Sequence, residues 1–465
     1  MPSSGDAGTT QSFQNEEEFA YTCSEPIMQE LNRRLGRKPI EIQLAKSAQQ
    51  KVFIVHYDPT HTFSELDRTW QDALECGRNR LVIRCWQGGS RWWNLNRPTS
   101  PQLVARSEIA GYRTAYKALP QRIPRALAFF DCQSSEQANK TAYSWAILEY
   151  VGPNSKRHSS EDDSLHYDAY WITSMIKIRE EFGFAEPHPR WGRVPVDNAL
   201  QYARLVLRDV TIPIHKWFFT QKQTNDQYTQ ICTILEESIV EDLALDVGVP
   251  VLTVNNKNPL QKSCHSYSSM LHLYEQAHGD LQMNYLKQSP WSKSSNDPDT
   301  KLRRSLELLG KCIQVLRQQS KQAFLQPLPF VLVHMDCQPQ NLMIAKDLHS
   351  EWHISAVLDW EEAALADPRF ELLLLGRKVC ANTHQAKDLW EHYQDEMTDL
   401  VQLGPIEPWL RLETVHSLTT LLLQAMNQGG RSPWEKKPDL WGKIHREFQR
   451  LAIVPGWAFC GELDP

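Results

Sequence analysis

The segment 331–368 constrains the fold more than any other part of the chain. Three apolar β-formers, Val331 to Val333, run into His334 and Asp336, and a second apolar run begins at Asn341 in "NLMIA". Pro339 stiffens the path between the two. A third run, "HISAVLD", follows the connection "KDLHSEW". The second and third runs read as strands of one hairpin, apolar stretches on either side of a polar turn. Pairing them delivers Asp359, at the end of the third run, beside Asn341, at the start of the second.

That corner has a definite chemistry. A carboxylate and a carboxamide at adjacent strand ends make a hard-oxygen site, suited to Mg2+ with phosphates as further ligands. Asp336 is left over, in position to receive a proton from an attacking hydroxyl. A base, metal ligands and a nucleotide are the parts that phosphoryl transfer needs.

Upstream the pattern is that of a mixed α/β lobe. "IEIQLA" and "KVFIVHY" read as strands joined by the turn "KSAQQ". In "THTFSELDRTWQDALECG" Thr62 and Glu65 fit a capping box, and Gly77 stops the helix. "RLVIRCW" is a strand, and "SPQLVARSEIAGYRTAYKAL" is a helix with Ser100 as N-cap and Pro101 in its first turn. "RALAFFD" and "AYSWAILEYVG" add two strands, giving the order β-β-(α)-β-α-β-β. The expected layout is a disordered tail over 1–25, a lobe over 26–152 and a mainly helical region over 153–465. "PNSKRHSSEDDS" and "SSNDPDTK" read as exposed loops. "HYDAYWITSMIKIREEFGF", "VDNALQYARLVLRDVTIPIHKWFF", "YTQICTILEESIVEDLALD" and "LRRSLELLGKCIQVLRQQS" read as helices. After "HISAVLDW" the chain reads as helical to about 452.

"HMDCQPQN" fits H-x-D-x-x-P-x-N, and "VLDWEEAALADP" carries Asp359 with an Asp367–Pro368 step eight residues on. These two segments resemble the catalytic loop and metal-binding segment of the aminoglycoside phosphotransferase and choline kinase-like family, relatives of protein kinases. The resemblance implies an α+β, bilobal, protein-kinase-like fold, with a small mixed-sheet lobe and a large helical lobe. It implies that Asp336 is the catalytic base, that Asn341 and Asp359 hold Mg2+, and that His334 orients the loop 334–341. In the first lobe it makes Arg84 the phosphate-contacting basic residue and Glu108 its ion-pair partner. Backbone around Glu149 to Val151, in "ILEYVG", corresponds to the hinge that holds adenine. Ser47, in the turn "AKSAQQK", is the side chain available to meet a phosphate. The donor is ATP, and the acceptor is a hydroxyl of an aminoglycoside-, choline- or secondary-metabolite-like molecule.

The chain departs from the family at two points. The basic residue is arginine rather than lysine, so it meets phosphates as a fork rather than a point. The turn "AKSAQQK" has no glycine. A catalytically weak regulatory or binding protein on the same scaffold is therefore the rival reading, opposed by the intact Asp336, Asn341 and Asp359. Glu361 and Glu362 follow the metal aspartate, and both a substrate-facing role and a structural ion pair fit them. "DWE" in place of DFG, with no APE-like segment, argues against a protein kinase.

Charge and cysteine usage narrow the class further. The net charge is −6 with no long Lys/Arg run, which gives no footprint for nucleic acid. No apolar run is long enough to span a membrane, and "LTTLLLQAM" reads as a buried helix. The polar, acidic start has no basic n-region or apolar h-region, so a cytoplasmic location is expected. The ten cysteines are scattered without a CxxC or zinc spacing, and read as reduced thiols. The histidines show no HExxH spacing.

Overall fold

The computed structural model describes residues 31–45, 51–58, 66–86, 89–90, 92–95, 98–99, 101–130, 144–151, 196–223, 266–288, 298–346, 351–380, 382–426 and 438–462, with positions 29 and 60. Ser47, Thr62, Glu65, Ser100 and Gly152 lie outside these residues. So do the expected tail, the loop 153–164, and the helices expected over 166–184 and 228–246.

The first part of the chain runs β1 (Glu41–Ala45), β2 (Lys51–His56), α1 (Arg68–Cys76) and β3 (Arg80–Trp86). It continues through the two-residue strands β4 (Gly89–Ser90) and β5 (Pro98–Thr99) to α2 (Pro101–Ala118), β6 (Ala126–Phe130) and β7 (Ser144–Glu149). Five of these strands form one sheet in the order β1-β2-β3-β7-β6, and every neighbouring pair is antiparallel. The pair β4 and β5 was not expected; it closes the Gly/Trp/Asn-rich loop before α2.

Strand alternation decides where the side chains go. Leu81, Ile83 and Cys85 of β3 pack with Phe53, Val55 and Ile147 on one face, against Leu31, Leu35 and Leu74. Val82 and Trp86 lie on the opposite face, in the core shared with Val104, Ala105, Ile109 and Tyr112 of α2. Arg84 falls between Val82 and Trp86, so the period of two turns it towards α2 as well.

Helix α1 starts later than the capping-box reading puts it. Asp67 is the N-cap, and its carboxylate accepts from the Thr69 N–H at 2.8 Å. A carboxylate at that position satisfies an orphan donor and complements the helix dipole. Gly77 caps the other end, as expected.

The remainder is mainly helical: α3 (Val196–Val206), α4 (Ile212–Gln223), α5 (Tyr267–Gln288), α6 (Pro298–Gln319), α7 (Arg369–Lys378), α8 (Thr383–Glu396), α9 (Glu407–Met426) and α10 (Pro438–Ala452). Four short strands interrupt it: β8 (Val331–Val333), β9 (Leu342–Lys346), β10 (Trp352–Val357) and β11 (Ala364–Ala366). β9 and β10 form the anticipated antiparallel hairpin. β11 was expected to be helical; instead it pairs with β8 and ties the two ends of the loop region together. α6 also absorbs Pro298 to Lys301, which the sequence suggested as loop; proline suits a first helical position because it needs no N–H partner there.

Between α3 and α4 the chain makes a π-helical turn, Leu207–Thr211. Pro213 lacks the N–H that would otherwise bond within the helix. The Asp209 carbonyl instead accepts from Arg122 Nη1 at 2.9 Å. The Asp209 carboxylate accepts from Ile354 N at 2.7 Å and from Arg122 Nη1 at 2.9 Å. One buried aspartate thus joins the turn after α2 to the β9–β10 hairpin.

A single apolar core runs from the inner face of the sheet, through α2, into the helices. Helix α7 is buried from Arg369 to Gly376, with no exposed stripe, and "LTTLLLQAM" lies within α9, buried except at Leu421 and Gln424. Among the described residues no helix is long and apolar enough to cross a membrane.

Candidate active site

β8 ends at Val333, and the chain enters a polar loop that has little freedom to move. The His334 N–H and the Met335 N–H both donate to Glu371 Oε2, at 2.6 and 2.9 Å. Met335 adopts a left-handed conformation with φ 67°, unusual for a residue with a side chain. Such a residue costs on the order of 1–3 kcal/mol and persists only where its surroundings hold it. Glu371 holds the nitrogen side of Met335, and Lys378 Nζ holds its carbonyl at 2.9 Å.

His334 is structural glue. Its Nδ1 accepts from the Asp336 N–H at 3.1 Å, which leaves the ring proton on Nε2, donated to the Leu358 carbonyl at 2.9 Å. Its ring lies 4.4 Å from that of Trp360. One imidazole therefore fixes the loop 334–341 against the end of β10.

The Asp336 carboxylate is held on both oxygens. Oδ2 accepts from Asn341 Nδ2 at 2.7 Å, and Oδ1 accepts from Gln338 Nε2 at 2.7 Å and from Lys378 Nζ. Asn341 uses only its Nδ2 in this contact, so its Oδ1, the atom able to meet a cation, points elsewhere. The Leu358 N–H donates to the Asn341 carbonyl at 2.8 Å, which brings the start of β9 next to the Leu358–Asp359 step. The hairpin expected from the sequence does bring these two residues alongside each other.

Asp359 also has left-handed backbone, at φ 62°. Its N–H donates to Tyr112 Oη at 3.0 Å, and its carboxylate accepts from Arg84 Nη2 at 2.7 Å. Arg84 Nε stands 3.0 Å from Glu108 Oε1, and Trp86 Nε1 donates to Glu108 Oε2 at 2.6 Å. Arg84, Glu108 and Asp359 form one network, with Arg84 and Glu108 buried. Glu361 joins it: one oxygen from each of Glu108, Asp359 and Glu361 lies within 4.8 Å of the others.

The charge in this cluster is unbalanced. One guanidinium faces three carboxylates. Burial lowers the Arg84 pKa, but Asp359 and Glu108 beside it outweigh that and hold it above its ordinary value. Burial pushes Glu108 up to about 8, with Asp359 and Glu361 adding to the rise and Arg84 opposing it. Burial and then Asp359 push Glu361 up to about 8 as well. A bound cation would relieve the excess negative charge. The donor set is all oxygen, as a small hard cation requires.

Glu362 and Glu361, alternatives in the sequence, separate here. Glu362 turns inward: both its carboxylate oxygens accept from the Trp92 N–H at 3.0 Å, and its carbonyl accepts from Trp93 Nε1 at 2.8 Å. Asp367, shared with the family pattern, is fully buried and clamps Arg369 at 2.6 Å, a structural pair. The Glu149 side chain also faces inward, accepting from the Arg125 N–H at 3.1 Å. Val151 packs with Met343 and Ala356 beneath the hairpin. Ser47 is outside the described residues.

Three partners of the site had no signal in the sequence. Lys378 and Glu371 lie on α7, and Tyr112 on α2; each is an ordinary helical residue until the helices dock. Gly111 was equally silent. A Cβ there would stand 2.8 Å from Trp360 Cβ and 3.0 Å from Ala363 Cβ, so α2 rests directly on the turn that carries Glu361.

Residues 267–404 match the model of the phosphotransferase enzyme family. The matched segment contains the loop 334–341, the β9–β10 hairpin, Asp359 and Lys378. With the five-stranded antiparallel sheet and the α2 helix above it, the fold is α+β. Solved structures with similar outlines include a spectinomycin phosphotransferase in complex with ADP and spectinomycin, 11% identical, with 94% of this chain and 97% of that chain covered at a TM-score of 0.41. An aminoglycoside phosphotransferase from Alicyclobacillus acidocaldarius is 11% identical over 93% of this chain and 94% of that chain, with a TM-score of 0.42. A choline/ethanolamine kinase family protein from Mesorhizobium loti is 12% identical over 93% and 97%, with a TM-score of 0.37. Among curated proteins none matches.

Proposed function

We propose that this phosphotransferase moves the γ-phosphoryl group of ATP onto a hydroxyl of a small molecule, with Asp336 as base and Mg2+ held by Asn341 and Asp359. One observation carries the reading: Arg84 of the sheet reaches Asp359, 275 residues away in sequence, at 2.7 Å. That contact sets a cation that could meet phosphate beside a carboxylate that could meet a metal, which supports the reading.

Asp336 would accept the proton of the acceptor hydroxyl as its oxygen approaches phosphorus. Asn341 and Gln338 aim the carboxylate and keep it from turning. Asn341 Oδ1 and the Asp359 carboxylate would hold the metal, with Glu361 within reach of it; Mg2+ when bound neutralises phosphate charge. Arg84, beside Asp359, would offer its guanidinium fork to phosphate oxygens. Glu108 and the Trp86 indole keep the guanidinium in place. The backbone around Glu149 to Val151, with Val151, Met343 and Ala356 as an apolar floor, suits the base of the nucleotide. Most of the rate would come from orientation and charge neutralisation.

The satisfied state of Arg84 also favours the second reading, a protein that binds nucleotide and turns it over weakly or not at all. Mg-ATP binding and ADP release, measured on one preparation, separate the two. Asp336→Asn should lower turnover by ~10²–10⁴-fold with binding retained, the usual worth of a positioned base. Asp359→Asn should weaken Mg-ATP binding itself. Unchanged turnover in Asp336→Asn would remove it from the chemistry, and a parent that binds ATP without releasing ADP would favour the second reading.

A further inference from the structure

We infer that Lys378, at the end of α7, is a positioning residue for the transfer, acting through Asp336. The inference rests on the reading above, and concerns a residue that neither loop motif contains. Its Nζ donates to Asp336 Oδ1 and to the Met335 carbonyl at 2.9 Å. The side chain is mostly buried, 18% exposed.

The loop His334 to Asn341 contains no lysine or arginine. The other donors to the Asp336 carboxylate, Gln338 Nε2 and Asn341 Nδ2, are neutral amides. Arg84 is committed to Glu108 and Asp359. Lys378 therefore brings to the base a positive charge that the loop itself lacks, from a helix 42 residues further on.

The second bond of Lys378 makes the arrangement directional. Met335 immediately precedes Asp336 and is held in left-handed backbone, with Glu371 on its nitrogen side and Lys378 on its carbonyl. Glu371 and Lys378 both lie on α7, at opposite ends of the helix. α7 is buried around nearly its whole circumference, so it is a rigid mount. The loop backbone and the carboxylate are thus referenced to the same helix. Of the two, only Lys378 also touches the reacting side chain. When an acceptor hydroxyl approaches Asp336, Lys378 can keep its bond to the Met335 carbonyl while the carboxylate redistributes its hydrogen bonds.

The test is steady-state ADP release from Mg-ATP, with water as acceptor, together with Mg-ATP affinity on the same preparations. Lys378→Met should lower kcat by ~10²-fold, the scale on which a small misplacement of a reacting group is felt, and change the KM for Mg-ATP by less than about threefold. Lys378→Arg should recover most of the loss, because charge and reach are retained. In an Asp336→Asn background Lys378→Met should add almost nothing, since two residues acting as one unit are not additive. Lys378→Gln, which keeps a donor for the Met335 carbonyl but no charge, serves if the methionine variant does not fold, with the same criterion. An equal loss in both backgrounds would make Lys378 a merely structural residue and overturn the inference. So would a Lys378→Met enzyme with the turnover of its parent. A parent that neither binds nor hydrolyses Mg-ATP would instead overturn the functional reading, and this inference with it.

Discussion

Gly111→Ala adds a single carbon where α2 rests on the Trp360–Glu362 turn. The new Cβ would stand 2.8 Å from Trp360 Cβ and 3.0 Å from Ala363 Cβ. Carbon atoms prefer separations of roughly 3.5–4.0 Å. Neither partner can swing aside, because both are Cβ atoms tied to backbone, and Trp360 is fully buried. The helix must therefore move outward by somewhat less than an ångström. Overpacking of this kind costs ~1–3 kcal/mol. Alanine recovers about 1 kcal/mol through its better helix propensity. The expected net loss is ~1 kcal/mol, with Gly111→Val worse because it adds two methyl groups and a stiff branched side chain. The functional effect should exceed the stability effect. Glu108 lies three residues before Gly111, and Tyr112, the acceptor for the Asp359 N–H, comes directly after it. Moving α2 shifts both against Asp359, so Mg-ATP affinity should fall by roughly tenfold, on the order of 1.4 kcal/mol. Urea unfolding and a Mg-ATP titration on the same protein measure the two quantities. If Gly111→Ala were more stable than the parent by about the propensity gain, and bound Mg-ATP equally well, the contact would be loose and the argument wrong.

Other variants probe the charge balance. Arg84→Met should cost ~3–5 kcal/mol in unfolding free energy, because Glu108 and Asp359 lose the cation that faces them, and combining it with Glu108→Gln should recover part of that loss; a stability unchanged from the parent would show that the network contributes little. The third expectation concerns pH. Burial lowers the pKa of His215 from 6.5 to about 3, while its Nδ1 lies 2.8 Å from Tyr393 Oη. The unfolded chain therefore takes up a proton at His215 below pH 6.5 and the folded chain does not until about 3. The stability contributed by a neutral His215 is complete above the unfolded value and falls as pH drops, by about 1.4 kcal/mol per unit, so that about 2 kcal/mol of it is lost at pH 5. Burial shifts His416 in the same direction, adding to the effect. Chemical unfolding between pH 7 and 5 should show this slope, and His215→Gln should flatten it; an unaltered slope would assign the acid sensitivity to other groups.

The parts of this protein that could be read in its sequence are those governed by short-range periodicity. Alternation along "RLVIRCW" turns Arg84 to the same side as Val82 and Trp86, whatever covers that side. The two apolar runs around "KDLHSEW" form a hairpin because each is a strand and the connection is short, and the hairpin alone sets Asn341 near Asp359. The start of α1 was misread, because Thr62 with Glu65 and Asp67 are both chemically reasonable caps. What only the tertiary structure decided are contacts between elements far apart in sequence: Arg84 with Asp359 across 275 residues, Lys378 with Asp336 across 42, and Glu371 with the His334 N–H across 37. A lysine at a helix end and a glutamate in a first turn carry no local mark of such partners. Each is chosen by the angle and depth at which α7 and α2 pack, set in turn by Gly111, by the buried Asp367–Arg369 pair and by the shared apolar core. Those are sums over many side chains distributed through the whole chain, and no window of neighbouring residues contains them.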